Sequence, residues 1–134
     1  MKINIHDGSI TFANGSMSRT TQRAEFLASP LGRSAKAKEV GISRFSYDFD
    51  PEFGISATAT FHGDRLDRLF LMMKLPSDAA GQWTEALETV RKARHDHWIS
   101  DELGPGPHKY EWGSVNSDFD PRGCASEIIL VYER

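Results

Sequence analysis

The sequence predicts a single α+β domain over residues 1–134, built on a mainly antiparallel, curved sheet with helices packed on one face. Two observations support this prediction. The length of 134 residues suits one hydrophobic core, and a hydrophobic share of 39% is too high for a disordered chain. Strand-like runs also follow one another directly, which favours antiparallel pairing, while only two segments have helical character. The predicted element order is ββ-α-βββ-α-ββ.

The chain is expected to open with a β-hairpin. Asp7-Gly8 separates a β-rich run at residues 3–5 from a second at residues 9–12. A two-residue Asp-Gly loop between such runs is the strongest short hairpin signal. Asn14-Gly15 is then interpreted as the end of the second strand.

A short helix is predicted next, from Ser18 to Ala28. Serine and threonine near its start can cap free backbone N–H groups, and Pro30 limits how far the helix extends. The following segment, residues 32–41, is polar and basic and is interpreted as a loop.

Three strands are predicted in the middle of the chain. Aromatic residues alternate with polar ones over residues 45–49, and apolar residues alternate with Ser and Thr over residues 55–61. This period of two is typical of a strand with one buried face. The third strand, residues 65–75, is apolar on both faces over residues 69–73, which predicts a central position in the sheet.

A long helix is predicted from about Ala79 to Leu103, where Gly104 and Pro105 end it. Its apolar side is predicted from three- and four-residue spacings. The positions on that side are Trp83, Ala86, Leu87, Val90, Ala93, Arg94, His97 and Trp98. These spacings predict that Trp83 and Trp98 belong to the core.

The last two strands are predicted as a hairpin over residues 110–116 and 126–132. The second of them is apolar on both faces at residues 128–131 and is therefore interpreted as an interior strand.

Charge and cysteine content exclude several classes of protein. With 16 basic and 19 acidic residues the net charge is −3, which is not the electrostatic signature of a general nucleic-acid binder. The single cysteine, Cys124, cannot form an intrachain disulfide, and no apolar run has the length of a signal peptide or a membrane span. These features predict a cytoplasmic protein that binds neither nucleic acid nor membrane.

No pattern in the sequence predicts catalytic residues, a metal site or a cofactor. His95 and His97 are two residues apart, so on a helix they diverge by about 200° and cannot readily hold one metal ion. The acidic run from Asp48 fails as a calcium loop because its sixth residue is Phe53 and its twelfth is Ala59. Cys124 has no neighbour in sequence that would lower the pKa of its thiol.

The acidic and aromatic residues of the chain are the candidate contacts for a protein partner. Asp-Phe-Asp-Pro occurs at residues 48–51 and again at residues 118–121, which predicts two exposed turns. A third acidic site is predicted at the end of the long helix. Tyr and Trp are enriched in binding hot spots, so the strand face that carries Tyr110 and Trp112 is a further candidate contact surface. The full candidate set is Asp48, Asp50, Glu52, Asp101, Glu102, Tyr110, Trp112, Asp118 and Asp120.

The C-terminal segment of the chain resembles a known group of proteins. Residues 112–115, 117–123 and 126–132 are similar to the closing hairpin of small bacterial immunity proteins of polymorphic toxin systems and their uncharacterised α+β relatives. Residues 15–19 resemble their opening segment. The resemblance implies a non-enzymatic binding protein that inhibits a partner toxin. The mildly acidic chain is expected to suit a toxin domain with a basic surface, because complementary charge raises the rate and specificity of association. The resemblance implies no particular contact residue.

Two alternatives remain open from the sequence. The first is a small ligand-binding domain or enzyme with a site between the sheet and the long helix, near His97, Tyr110, Trp112 and Cys124. The second is a structural or oligomerising module whose sheet buries its free face against another copy.

Overall fold

The structure, a computed structural model, describes residues 1–81, 83–122 and 124–133. Within these residues the strands are β1 (Lys2–Ile3), β2 (Ile10–Phe12), β3 (Gly15–Met17), β4 (Lys36–Glu39), β5 (Arg44–Glu52), β6 (Ile55–His62), β7 (Arg65–Met73), β8 (Lys109–Tyr110), β9 (Gly113–Asp120) and β10 (Ala125–Tyr132). The helices are α1 (Arg23–Ala28) and α2 (Glu85–Leu103), with a 3-10 helix at Pro76–Ala80. The α+β prediction with antiparallel sheets is confirmed.

Seven strands form one antiparallel sheet in the order β4-β5-β6-β7-β10-β9-β8. The two runs that are apolar on both faces, in β7 and β10, are hydrogen-bonded neighbours at its interior, with Ile129 opposite Phe70. Their predicted central position is therefore confirmed. The first three strands form a separate small sheet in the order β1-β2-β3.

One face of the seven-stranded sheet carries the hydrophobic core. Alternate residues of β5, β6, β7, β9 and β10 point to this face and are buried with residues of α1, α2 and the small sheet. Phe26 of α1, for example, lies 5.0 Å from Phe49 and 5.5 Å from Phe61, measured between ring centroids. We call this side the core face and the opposite side the open face.

Hydrogen bonds from large aromatic side chains attach the N-terminal segment to the core face. Trp112 Nε1 donates to the Ile5 carbonyl at 2.9 Å, and the Tyr132 hydroxyl donates to the Gly8 carbonyl at 2.9 Å. Each bond joins residues more than 100 positions apart, so the first and last parts of the chain stabilise each other.

Removing the Tyr132 hydroxyl tests this attachment. Tyr132→Phe leaves the carbonyl of the buried Gly8 without its donor, so we expect a loss of about 1–2 kcal/mol in the free energy of unfolding. Tyr110→Phe is the matched control, because no hydrogen bond joins the Tyr110 hydroxyl to any residue that the structure describes; its change should stay within about 0.5 kcal/mol. Urea denaturation measures both, and equal values for the two variants would contradict the assignment.

Several predicted boundaries are wrong, and each has a local cause. The opening hairpin is extended by a third strand, β3, because Gly15 takes a φ of 147° and the chain pairs again with β2. Helix α1 begins only at Arg23, because residues 18–21 form a turn in which Thr21 Oγ1 accepts from the Ser18 N–H. The basic segment predicted as a loop contains β4, a charged edge strand.

The long helix is split. Residues 76–80 form the 3-10 helix, Gly81 takes a φ of 71°, and α2 starts after Thr84, whose hydroxyl accepts from the Leu87 N–H. The prediction that Trp83 lies on the helix and in the core is wrong, since Trp83 precedes α2 and is 48% exposed.

The buried side of α2 is not the predicted apolar side. Its buried residues are Glu88, Arg91, His95, Ile99 and Leu103. Val90, in the middle of the predicted apolar side, is 49% exposed. Over its first three turns the helix therefore turns polar residues inward and small apolar residues outward.

Candidate protein-binding surface

The polar side of α2 replaces sheet hydrogen bonds where two strands diverge. The ladder between β7 and β10 ends at Leu71 and Ile128, so Met73 and Ser126 have no partner across it. The Ser126 N–H donates to Glu88 Oε1 at 2.7 Å. Side chains of α2 thus satisfy backbone groups that the sheet leaves open.

Arg91 is the centre of this buried cluster. It donates to the Met73 carbonyl and to Asp78 Oδ1, both at 2.6 Å, and to Glu88 Oε1 at 3.0 Å. The guanidinium lowers the pKa of Asp78, chiefly through its hydrogen bonds. All of its strong contacts are structural, and the buried atom of the cluster that has no hydrogen-bond partner among the described residues is Nδ1 of His95.

His95 completes the cluster in its neutral form. Its Nε2 accepts from the Met73 N–H at 3.0 Å, which requires an unprotonated ring nitrogen. Burial, together with the nearby Arg91 cation, lowers the pKa of His95 to about 4. His97, two residues later, is on the exposed side of α2, where its Nε2 lies 3.0 Å from Asp101 Oδ2. The two rings therefore point apart.

Within the described residues, no core element is attached to the open face. The core-forming residues of α1, α2 and the small sheet all belong to the core face, and the apolar residues of the open face lie outside the core cluster. Four half-buried side chains form an apolar band across its middle: Phe70, Met72, Ile129 and Val131. Phe70 and Ile129 are directly opposite each other in the central strand pair. A partly exposed apolar band on a sheet is typical of a surface that binds another protein.

One end of the open face is acidic. Glu127 of β10 is directly opposite Asp118 of β9, and Asp120 is two residues further along β9. Burial and the nearby Asp120 raise the pKa of Glu127, and Lys38 partly opposes them. Asp118, Asp120 and Glu127 have no salt bridge to any cation within the described residues. We call these three residues the acidic end.

The other end of the open face is basic. Arg68 of β7, Ser114 of β9 and Lys109 of β8 follow one another across the sheet, with Val131 between the first two. Lys38 of β4 is at the same level of the sheet, opposite Ser46, and its Nζ lies 2.8 Å from Asp48 Oδ2. The Lys38 ammonium also lowers the pKa of Glu127 and so reaches toward the acidic end. We therefore call Arg68 and Lys109 alone the basic end.

The structure brings three of the predicted acidic contacts to the open face. Asp48, Asp118 and Asp120 lie on this face. Their position follows from the register of the β-strands and not from the predicted turns. The prediction that both Asp-Phe-Asp-Pro segments are turns is wrong for these residues, because β5 and β9 extend through them. Asp50 is also on a strand and is exposed, 3.2 Å from the Lys74 ammonium.

The remaining predicted contacts lie elsewhere. Glu52 is half-buried beside the N-terminal ammonium, at 3.2 Å, and Asp101 and the half-buried Glu102 are on α2. Tyr110 is half-buried and stacks on Trp112, with ring centroids 5.1 Å apart. The proposal that Trp112 lies on an exposed binding face is wrong, since its side chain is 1% exposed and fills the core.

The sequence interpretation missed Glu127, Arg68 and the apolar band. The signal was present: β7 and β10 are apolar on both faces, yet only one face of the sheet is covered by helices. Half of their apolar residues must then face outward. Combining these two predictions would have identified Phe70 and Ile129 as surface residues.

The residues proposed for a ligand or catalytic site are separated. Cys124 lies in the exposed turn between β9 and β10, with a φ of 52°, while Trp112 is at the opposite end of β9. His97 is on the outer side of α2. In the part of the chain that the structure describes, no three His, Cys, Asp or Glu side chains are grouped to hold a metal ion. Neither described helix has the length and hydropathy to cross a membrane.

A smaller apolar surface lies on the helix side. Phe119 of β9 is 42% exposed and, with Ala93 and Thr89 of α2, lines a groove of about 470 Å³. On the other flank of α2, Val90 and Trp98 line a second groove of about 540 Å³. Both grooves are open to solvent, and they follow from the outward-facing apolar residues of α2.

Comparison with known proteins gives a match in structure alone. No protein-family model and no curated protein sequence matches the chain. A chain of the solved complex "Rhs1-CT in complex with cognate immunity protein RhsI1" has a similar structure, with a TM-score of 0.60 and 15% sequence identity. The match covers 99% of this chain and 87% of that chain. It shows a shared fold, and at that level it confirms the resemblance predicted from the closing hairpin.

Proposed function

We propose that this chain is an immunity-type inhibitor, a non-enzymatic protein that binds and masks a partner toxin. The observation that carries the proposal is the open face. An apolar band flanked by charged residues crosses the middle of a sheet whose other side is covered. This composition, an apolar centre with a polar rim, is that of protein interfaces.

The structural similarity supports the same function. A chain from a toxin–immunity complex shares this fold over nearly the whole length of the present chain. Fold alone does not determine function, so the argument depends on the open face, and the similarity supports it as an analogy.

The acidic end favours a partner with a basic surface. Its carboxylates form no salt bridge with a described residue, and complementary charge increases the rate and specificity of association. We further propose that the chain acts in the bacterial cytoplasm, a reducing compartment in which the exposed thiol of Cys124 stays free.

Co-expression tests the function. A bacterium that produces the toxin domain encoded beside this chain's own gene should stop growing, and co-expression of this chain should restore growth. The two proteins should also elute together in size-exclusion chromatography. Continued growth arrest with separate elution would reject the proposal. The control is an unrelated toxin, which this chain should not neutralise.

The oligomerising alternative is measured in the same experiment. Light scattering of the free chain gives its mass over a range of concentrations. If the open face were buried against a second copy, the mass would be that of a dimer, and addition of the toxin would have to dissociate it. A monomer that forms a one-to-one complex agrees with the proposal.

A further inference from the structure

We infer that the open face binds its partner in one fixed orientation, with basic side chains of the partner over the acidic end, acidic ones over the basic end, and apolar ones on the band between. The inference rests on the proposed function and adds the interface and the charge pattern of the partner. The occupant is a folded protein surface that is cationic on one side and anionic on the other.

The first step is the order of the charges along the strands. In β10 the sequence of open-face residues is Glu127, Ile129 and Val131, and in β7, which runs the opposite way, it is Arg68, Phe70 and Met72. Strand β10 therefore runs from the acidic Glu127 into the apolar band, and β7 runs from the basic Arg68 into the same band. The acidic and basic ends are separated by the length of four residues, about 13 Å at 3.3 Å per residue.

The second step is that the acidic end is unfavourable without a partner. Glu127 and Asp118 are directly opposite in the β9–β10 pair, an arrangement in which like charges destabilise a sheet. Within the described residues neither has a salt bridge. A cation supplied by a partner would relieve this repulsion and gain charge-assisted hydrogen bonds.

The third step is that a partner protein is expected to bind the open face and not the edge strands of the sheet. The edge strands β4 and β8 have four and two residues, and both contain lysine. Short, lysine-bearing edges resist the addition of another strand. A partner on the face instead meets the apolar band, whose centre, Phe70 and Ile129, lies between the two charged ends.

The fourth step is charge complementarity at the basic end. Arg68 is about half exposed, and its Nε lies 3.8 Å from Asp67 Oδ2. Lys109 is exposed on the two-residue edge strand and has no salt bridge among the residues described. Lys38 is already paired with Asp48, so Arg68 and Lys109 are the cations available to the partner.

Single charge reversals test the orientation with the toxin domain used above. Asp118→Lys at the acidic end and Arg68→Glu at the basic end should each slow association by about tenfold and reduce its dependence on salt. Glu85→Lys, an exposed reversal on α2 at a residue outside the candidate contacts, is the matched control and should leave the association rate within about twofold. Surface plasmon resonance measures the rates, and thermal melting confirms that each variant is folded.

The outcomes separate the inference from the proposed function. If the wild-type chain binds and only Asp118→Lys weakens binding, the partner is simply basic and the fixed orientation is wrong. If the wild-type chain binds and neither charge reversal changes the association rate, the open face is not the interface, and the proposed immunity function is retained. A wild-type chain that fails to bind overturns both. Ile129→Ser in the apolar band adds a charge-independent test and should increase the dissociation rate about tenfold or more.

Discussion

Arg91→Ala is expected to destabilise the protein by about 3–5 kcal/mol, the usual cost of leaving one partner of a buried ion pair unpaired. The substitution removes the donor to the Met73 carbonyl and leaves Glu88, which is 5% exposed at its side chain, without its cation. Chemical denaturation with circular dichroism measures the loss in the free energy of unfolding.

Arg94→Ala is the matched control for this prediction. Arg94 is exposed on the same helix three residues later, so its loss should change stability by about 0.5 kcal/mol or less. If the two variants were equally stable, the cluster around Arg91 would not be holding α2 against the diverging ends of β7 and β10.

Stability should fall between pH 6.5 and about pH 4 because His95 resists protonation in the folded state. The unfolded chain takes up a proton at the ordinary pKa of 6.5, whereas the folded chain does so only near 4, so acid favours unfolding. The contribution is present in full above pH 6.5 and is lost as the pH drops to about 4. Its full size is about 3 kcal/mol.

His95→Gln isolates this effect. Glutamine can still accept from the Met73 N–H but does not titrate, so the variant should lack the loss of stability between pH 6.5 and 4. Subtracting the stability profile of the wild type from that of the variant removes the contribution of the carboxylates, which both proteins share. Asp78 is one of them; its pKa is lowered from the ordinary 3.8, so its contribution to stability is lost as the pH falls below that value. Parallel profiles for His95→Gln and the wild type would refute the assignment.

The strand pattern of the seven-stranded sheet could be predicted because burial there obeys simple periodicity. Alternation over residues 55–61 gave β6 almost to the residue, and the doubly apolar runs placed β7 and β10 at the interior. Strand β4 was missed because an edge strand has few apolar residues. Its Lys-Ala-Lys-Glu sequence has the composition of a loop, and only pairing with β5 makes it a strand.

The buried side of α2 could not be predicted from hydrophobic spacing. Glu88, Arg91 and His95 have helical spacing too, but each is polar, and only the unpaired backbone of Met73 and Ser126 explains their burial. These backbone groups lack sheet partners because β7 and β10 diverge, which is a feature of the tertiary structure. Wherever a buried polar group serves a distant strand, the apolar side of a helix is a poor guide to its inner face.

The candidate contacts were predicted by residue type and only partly by location. Acidic residues of the two Asp-Phe-Asp-Pro segments do reach one surface, because β5 and β9 present them to the same side of the sheet. Glu127 completes the acidic end only through its register with Asp118. Register between distant strands is not encoded in local sequence, so the surface as a whole was beyond prediction.

Alternation along β10 has an evolutionary consequence. Ile128 and Leu130 are fully buried on the core face, while Glu127 and Ile129 between them face outward. Substitutions in the outward set leave the packing of the inward set unchanged, since neighbouring residues contribute to opposite sides of the sheet. Descendants of this chain can therefore diversify the outward surface within a single strand while inheriting the same scaffold.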